Sequence, residues 1–432
     1  MKSGLSFLIA AKRCEIAELQ ALALTSALVN VTGRLVHGLQ RERGLSNLYL
    51  GSNGALFAPE RLAQIGECET SEAHLRACLE SLDTESVIVG NGARLFSRIA
   101  YVLHGLDALP GLRAQVAQQR WTARKTTEAY VRLITGLLAV VFEAADSATD
   151  PEISRLLVAR FNFMQGKEFA GQERAVGSAL YASGHAEASE QQRLLHLIES
   201  QERCLRMFTE FSSAGLGALW AQSQPSSTQA ELERMRRVLC TAANGAILDA
   251  SQSTTWFACC SQRIDRMKWL EDQLAHDLLR ECETKIAAAQ NDLQAFTALS
   301  TSASGEEDAL SFFKESPLPD HAVSLTNDGV AATPTPPLQG YGPHLERSIL
   351  ELVQAQARRL QSMGDELDSV RASLNDRKLV ERAKGLLMAH RQLSEEEAHK
   401  AMRQMAMNQS RRLVEVAEAV LAVADVLPER RH

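Results

Sequence analysis

Two segments of the sequence place a glutamate directly before an arginine, close to the end of a helical pattern. The first, at residues 40–49, reads QRERGLSNLY, and the second, at residues 171–181, reads GQERAVGSALY. The arginines concerned are Arg43 and Arg174. A guanidinium group stays charged at cellular pH, and its coplanar donors match the oxygens of a small planar anion. Both arginines are therefore candidates for an anion site. The alternative for each is a salt bridge with a neighbouring glutamate.

Three further arginines are candidates for the same kind of site. Arg41 precedes Arg43 by two residues, roughly 200° around a helix, so both reach one pocket only if the helix is irregular there. Arg236 lies in the run ERMRRV, and the sequence does not decide which arginine of that run faces inward. Arg203, in the run QER, completes the set. A salt bridge is again the alternative for each of them.

Basic residues are concentrated near the C-terminal end of an acidic chain. Between Leu374 and Arg412 there are nine lysines and arginines and five acidic residues, a net charge of +4, whereas the whole chain carries −7. Because neutralising phosphates releases counterions, such a patch favours a polyanionic partner. The alternative is an ordinary solvated helix face.

Several kinds of chemistry are not expected from this sequence. No phosphate-binding glycine motif, metal-ligand spacing or catalytic nucleophile is recognisable. The eight cysteines form no C-x-x-C pair and are expected to be reduced thiols. We therefore predict no enzymatic activity, no metal and no cofactor. Aromatic residues make up only 5% of the chain, which argues against a surface that stacks nucleic-acid bases.

No targeting or membrane segment is predicted. No stretch approaches the about 20 apolar residues of a membrane span. The opening MKSGLSFLIAAKRC has too short an apolar core for a signal peptide. We therefore expect a cytoplasmic protein.

Helical periodicity runs through the chain, and no segment shows convincing strand alternation, which predicts an all-α fold. The pair of similar segments indicates two related helical bundles, packed side by side within residues 1–299. Six of the eleven prolines fall in residues 300–343, which predicts a flexible acidic linker. The other prolines are expected at helix junctions. Residues 344–374 follow as a connector, and residues 375–432 show three helical patterns that predict a small bundle.

The connector carries an apolar stripe that alternates steps of three and four residues. This spacing is typical of a coiled coil and predicts a dimer. Burial of a single helix is the alternative, although no neighbouring segment is expected to bury it. The stripe consists of Leu345, Ile349, Leu352, Leu360, Met363, Leu367, Val370 and Leu374.

The C-terminal residues resemble the ANTAR family of RNA-binding antiterminator domains. The resemblance rests on ERAKGLLM at 381–388, SEEEA at 394–398, the AM dipeptide at 406–407 and the VA dipeptide at 416–417. It implies binding to a pair of hairpins in a leader transcript, so that a terminator stem does not form. Gly385 lies inside a helix, where glycine is unfavourable, and either a close nucleotide or tight helix packing would explain it. The expected RNA-binding residues are Arg377, Lys378, Arg382, Lys384 and Arg403.

The N-terminal region resembles the NIT family of nitrate- and nitrite-sensing domains, which are paired four-helix bundles. The resemblance rests on the QRERGLS run at 40–46, the segment at 163–175 and IDRMK at 264–268. It implies that nitrate or nitrite is the effector. The expected ligand-binding residues are Arg43, Arg174, Arg236, Arg41 and Arg203.

Together the two resemblances predict a cytoplasmic, nitrate-responsive antiterminator that acts as a homodimer on leader mRNA in a nitrate assimilation operon. An anion that joins helices from both bundles favours one packing over another, as a ligand-driven switch requires. The basic bundle is then released to bind RNA. A DNA-binding transcription factor that uses the bundle as a helix-turn-helix, and a signalling adaptor that acts through the coiled coil, are the alternatives.

Overall fold

A computed structural model describes residues 4–82, 92–223, 226–302, 345–391, 393 and 395–424. These residues form α-helices throughout, with a single isolated bridge and no strand among them, which confirms the all-α prediction. The helices are α1 Gly4–Gly51, α2 Ala58–Glu80, α3 Gly92–Ala117, α4 Ala123–Asp146, α5 Pro151–Ser183, α6 Ala188–Phe211, α7 Ala214–Ser223, α8 Ser226–Thr241, α9 Gln252–Ser302, α10 Leu345–Arg391, α11 Glu395–Gln409 and α12 Leu413–Ala424.

The start and end of α5, the helix that crosses the whole N-terminal region, follow from local sequence. The carboxylate of Asp150 accepts hydrogen bonds from the backbone amides of Glu152 and Ile153, at 3.1 and 3.0 Å. Pro151 occupies the first turn, where its missing amide costs nothing. Gly184 ends the helix with φ 72°, a conformation that glycine adopts without strain. Pro110, expected at a helix junction, instead lies inside α3.

Two hydrophobic cores divide the N-terminal region. The first is formed by α1–α4, the N-terminal half of α5, the C-terminal end of α6, α7 and the later part of α9, and it buries Leu28, Leu35 and Tyr130 completely. The second is formed by the C-terminal half of α5 with α6, α8 and the start of α9, around Trp256. A Cβ atom at Gly177 would lie 2.2 Å from the Trp256 ring, so only glycine fits there. α5 and α9 therefore belong to both cores.

α1 is, over Ser6–Gly51, long enough and, in one 18-residue window, apolar enough to cross a membrane by length and composition alone. More than half of that window, 56%, is buried inside the protein. Its apolar residues pack against α2, α4 and α9, as expected of a core helix.

α10 is one continuous helix that spans the predicted connector and the first helix of the C-terminal bundle. Val370 and Leu374 of the apolar stripe are buried in the first core of the N-terminal region, and Leu367 is 8% exposed. Arg359 adds an ion pair with Glu15 at 3.2 Å. The expectation that no neighbouring segment buries the stripe is therefore wrong for its C-terminal part. The side chains of Leu345, Ile349 and Leu352 lie outside the described residues, as does nearly all of the predicted linker.

The C-terminal bundle, which consists of α11, α12 and α10 from residue 375 onward, has its own small core. Ala383, Ala398, Met402 and Ala417 are completely buried in it. Small side chains at three of these positions let short helices approach closely.

Candidate anion site and basic docking surface

The two glutamates of the repeated segments are structural. Glu42 is fully buried and accepts two hydrogen bonds from Arg113 of α3, at 2.8 and 2.9 Å, and one from the Tyr130 hydroxyl of α4 at 2.7 Å. Glu173 is equally buried and accepts two from Arg236 of α8, at 2.6 and 2.7 Å. Each glutamate thus holds an arginine of a neighbouring helix with the same forked geometry.

The carboxylate of Glu173 also accepts a hydrogen bond from Gln201 of α6 at 2.7 Å. Burial by itself raises the pKa of Glu173, but the charge and hydrogen bonds of Arg236 outweigh it and hold that pKa below its ordinary value. Glu173 is therefore a charged structural group.

The arginine of the first segment reaches across to α5. Arg43 donates to Glu168 through both terminal nitrogens, at 2.5 and 3.2 Å, and Gln40 donates to the same carboxylate at 2.8 Å. Arg43 is 5% exposed. Its charge is therefore held in place by a buried carboxylate of the other helix.

The arginine of the second segment has no such partner. Arg174 donates to the Ser261 hydroxyl at 2.9 Å, and its guanidinium carbon lies 4.8 Å from the centre of the Phe257 ring. It forms no ion pair with any carboxylate in the described part of the chain. Burial, and to a smaller degree the charge of Arg43, lower the pKa of Arg174, while Cys260 opposes the shift. Arg174 is thus a half-buried cation that an anion would stabilise.

Arg43 and Arg174 line a common cavity of about 130 Å³ where α1, α5 and α9 meet. The glycine of each segment lies beside the other segment's arginine, and Gly171 makes room for Arg43. A Cβ atom at Gly171 would lie 3.2 Å from Nη2 of Arg43, and one at Gly44 would lie 3.6 Å from Nη2 of Arg174. The cavity is lined by His37, Gln40, Arg41, Arg43, Lys167, Gly171, Arg174, Ile264 and Asp265.

Cations outnumber carboxylates among these lining residues, because Asp265 is the one acidic side chain against four arginines and lysines. Lys167 is buried and paired with Glu271. Glu271 partly offsets the cost of burying the Lys167 charge. The cavity therefore offers a small anion several charged donors in a region where little water competes for them. The chemistry that fits is reversible binding of a small monoanion.

A second cavity, of about 210 Å³, lies between α6, α7, α8 and α9. Its two charged lining residues, Glu233 and Arg263, are of opposite sign. It therefore lacks the excess of positive charge that distinguishes the cavity at Arg43 and Arg174.

The other three arginines have different surroundings. Arg41 lines the cavity, but its side chain is 56% exposed and lies 3.5 Å from Glu67. Arg236 is bound to Glu173, as described above, and Arg203 donates to Ser200 at 3.0 Å and lies 3.1 Å from His399 of α11. The structure does not bring Arg236 or Arg203 to the cavity.

Sequence reasoning did not single out His37, Lys167 or Asp265. Lys167, Gly171 and Arg174 are spaced by four and three residues, so they share one face of α5. That spacing was visible in the sequence. Its significance depends on α1 and α9 packing against the same face, which periodicity alone does not specify.

The basic face of the C-terminal bundle docks on the N-terminal region. Lys378 pairs with Asp146 of α4 at 2.5 Å, and Arg403 pairs with Glu199 of α6 at 2.5 Å. Arg377 donates to Asn162 of α5 at 2.9 Å, and its guanidinium carbon lies 4.5 Å from the centre of the Phe161 ring. Three of the five expected RNA-binding residues are therefore occupied by contacts with α4, α5 and α6.

The remaining two differ from these and from each other. Lys384 is buried inside the C-terminal bundle, between Glu381 at 2.9 Å and Glu395 at 2.8 Å. Arg382 is exposed. Lys384 reaches a phosphate only by exchanging one of its carboxylate partners, whereas Arg382 is accessible as it stands.

Comparisons with known proteins agree with this organisation. The nitrate and nitrite sensing (NIT) family matches residues 34–279, and the ANTAR domain family matches residues 368–421. The nitrate regulatory protein of Klebsiella oxytoca is 33% identical over 414 residues, which cover 96% of this chain and 93% of that protein. The solved structure of the NasR transcription antiterminator is similar with a TM-score of 0.58 at 31% identity, covering 98% of this chain and 99% of that one.

Proposed function

The chain belongs to the family of nitrate regulatory proteins in which an NIT domain precedes an ANTAR domain, and on that basis we propose that it is a nitrate- or nitrite-responsive, RNA-binding transcription antiterminator. Both domain families are regulatory and neither is an enzyme family. The observation that carries the proposal is a pairing within one chain: a cation-rich cavity in the NIT domain, and an ANTAR domain whose basic face is docked on that same NIT domain.

Nitrate or nitrite binds, in this proposal, between Arg43 and Arg174. Both are small monoanions whose only recognisable features are their oxygens, so in-plane donors and positive charge supply the affinity. Ser261 and Phe257 hold the Arg174 guanidinium in position without neutralising it. The affinity gained is largest for a cation that has no carboxylate partner before the ligand arrives.

The docked arrangement is the form that does not bind RNA. Asp146 and Glu199 occupy the charges of Lys378 and Arg403, as phosphates would in a complex with a transcript. The NIT domain and RNA therefore compete for the same side chains. Ligand binding shifts the balance only if it favours a packing of the NIT domain that docks the ANTAR domain less well.

One helix connects the two events. α5 contributes Lys167, Gly171 and Arg174 to the cavity, and Phe161 and Asn162 to the docking contacts with Arg377. A small displacement of α5 on ligand binding changes both sites at once. We propose that this displacement weakens docking and frees the basic face.

Release of α10 also exposes the buried part of its apolar stripe. Val370 and Leu374 leave the first core, and with Leu360, which is 51% exposed in the docked form, they are then available to a second copy of the helix. We propose that the active form is a homodimer in the cytoplasm, in which each ANTAR domain grips one of two leader hairpins of a nitrate assimilation transcript.

The decisive experiment measures binding of the full-length protein to a two-hairpin leader RNA and to a DNA duplex of the same sequence, with and without nitrate. We expect nitrate to increase affinity for the RNA, with little binding to the duplex. Arg174→Ala should remove the nitrate effect and leave the basal affinity unchanged, whereas Arg234→Ala, an exposed arginine of α8, should behave as wild type. Preferential binding to the duplex, or a full nitrate response in Arg174→Ala, would contradict the proposal.

A further inference from the structure

His37 is a half-buried histidine in the anion cavity, and the proposed binding mode described so far gives it no role. It lies on α1, three residues before Gln40 and four before Arg41, so these side chains share a helix face. Its ring lines the cavity. Nδ1 of this ring is inaccessible to solvent and has no hydrogen-bond partner in the described part of the chain. A buried polar nitrogen without a partner is uncommon and calls for a physical reason.

The charged groups around His37 come from each helix packed around the cavity, and they line the cavity, act on the pKa of His37 or pair with a lining residue. α1 supplies Arg41 and Arg43, and α5 supplies Lys167, Glu168 and Arg174. α9 supplies Asp265, Lys268 and Glu271. Glu168 forms an ion pair with Arg43, and Glu271 forms one with Lys167, so neither carboxylate is free to accept a hydrogen bond from a protonated imidazole.

In the empty cavity this arrangement keeps the ring neutral. Burial, followed by the charges of Lys167, Lys268 and Arg41, lowers the pKa of His37 from 6.5 to about 2. A monoanion bound between Arg43 and Arg174 brings one negative charge into the same small volume. That charge opposes the repulsion from the surrounding cations and gives the imidazolium, through the part of His37 that lines the cavity, an oxygen to donate to.

We propose that His37 is a ligand of the anion site that takes up a proton from solvent when the oxyanion binds. The inference rests on the proposed function of this cavity. The bound state is then an imidazolium–oxyanion pair flanked by two guanidinium groups. One proton and one anion enter together, so binding adds no net charge to the buried site.

Linkage fixes the sign of the pH dependence. Because the bound form holds the proton more tightly than the empty form, affinity rises as pH falls from the pKa of His37 in the complex toward its pKa in the empty site. The limiting slope is about tenfold per pH unit for one proton. A site that uses only arginines shows no such slope in that range, since guanidinium groups do not titrate there.

Calorimetric titration of the full-length protein with sodium nitrate tests this directly. At one pH, the observed enthalpy is compared between buffers of high and low protonation enthalpy, and the difference gives the number of protons taken up. We expect an uptake that approaches one proton per anion at low pH, and an affinity that increases as pH falls. This measurement on the wild-type protein needs no variant to fold.

Two variants provide the comparison. His37→Asn keeps polar atoms near the ring nitrogens but cannot carry a charge, so we expect weaker binding and a proton uptake smaller than that of the wild-type protein, with only the uptake that accompanies release of His399 from Arg203 remaining. Equal proton uptake in His37→Asn and in the wild-type protein would overturn the inference. His276→Asn makes the same substitution at an exposed histidine of α9 and should retain the wild-type slope.

Two further outcomes overturn the inference and are distinct. Nitrate binding without proton uptake in the wild-type protein shows that His37 stays neutral, and leaves the nitrate site standing. Absence of binding of nitrate or nitrite at any pH removes the proposed function and this inference together.

Discussion

Arg203 of α6 donates a hydrogen bond to Nε2 of His399 of α11, with 3.1 Å between the two nitrogens. A guanidinium group can only donate, so Nε2 must accept and the imidazole must be neutral with its proton on Nδ1. His399 is 5% exposed, and the His196 ring packs against it at a centroid distance of 5.3 Å. This contact between the NIT and ANTAR domains therefore exists only while His399 is unprotonated.

Acidification should release the ANTAR domain without nitrate. In the docked form, burial and then the charges of Arg203, His196, Lys384 and Arg403 lower the pKa of His399 from 6.5 to about 3. A released histidine returns toward its ordinary pKa. Docking is therefore fully stable above pH 6.5 and weakens as pH falls toward about 3, by up to about tenfold per pH unit.

Nitrate-free RNA affinity, measured against pH at constant salt, checks this prediction. His399→Gln is the control, because its amide oxygen can still accept from Arg203 but does not titrate. Glu395 also faces the two histidines, and although burial raises its pKa, Lys384 holds that pKa below the ordinary value of a carboxylate, so the first part of the transition belongs to histidine. A slope that is the same in His399→Gln and in wild type would contradict the assignment.

Reversing one charge at the docking contact should weaken autoinhibition by a modest amount. Glu199→Arg places a cation against Arg403, and we expect nitrate-free RNA affinity to rise about two- to fivefold, because pairs at the surface contribute at most about 1 kcal/mol. Glu202→Arg makes the same change at an exposed position of α6 and should have no effect. Equal affinities for the two variants would show that this ion pair does not hold the domain.

Arg236 and Arg174 should respond differently to removal. Arg236→Ala leaves the buried carboxylate of Glu173 with Arg263, 3.9 Å away, and Gln201 as its remaining partners, so we expect the free energy of unfolding to fall by about 3 kcal/mol. Arg174→Ala leaves no carboxylate without a partner, so we expect the free energy of unfolding to fall by about 1 kcal/mol or less. Urea denaturation of both variants distinguishes them. A stable Arg236→Ala variant that has lost its nitrate response would instead place Arg236 in the ligand site.

Gly385 offers a test of the proposal that this face of α10 binds RNA. A Cβ atom there would meet nothing within 4 Å, so tight helix packing does not explain the glycine. Gly385→Ala should stabilise the helix by up to about 1 kcal/mol and still weaken RNA binding, because a close nucleotide is the remaining explanation. Gly364→Ala, with the same open surroundings in the same helix, should give the stability gain alone. Wild-type RNA affinity in Gly385→Ala would exclude nucleotide contact at this position.

Much of this architecture follows from the sequence. Helical periodicity identified the all-α fold, and the two E-R segments pointed to Arg43 and Arg174, which the fold brings to one cavity. The glutamates of the two segments, Glu42 and Glu173, are buried partners of Arg113 and Arg236. The repetition of the segment indicates that the two glutamates have the same structural role. If Glu42 needs a structural arginine from a neighbouring helix, the corresponding Glu173 needs one too.

What the sequence left open depends on packing between distant segments. An apolar stripe shows that one face is buried but not which segment buries it, so the sequence predicts a dimer contact for Val370 and Leu374, whereas the structure packs both against the NIT domain. Arg203 was grouped with the ligand site because its sequence context resembles that of Arg43. Its actual partner, His399, lies 196 residues away and could not be identified from local pattern.

The docking contacts of α10 and α11 join residues that are far apart in the sequence and do not involve the segment that connects the two domains. The residues that meet the ANTAR domain belong to α4, α5 and α6, and the described chain before residue 303 and after residue 344 already contains every contact discussed here. Coupling between ligand binding and RNA binding thus does not depend on the covalent connection through the intervening segment. If the two domains were supplied as separate polypeptides, the ANTAR domain would still dock on the NIT domain and be released by ligand, but the extent of docking would depend on their concentrations.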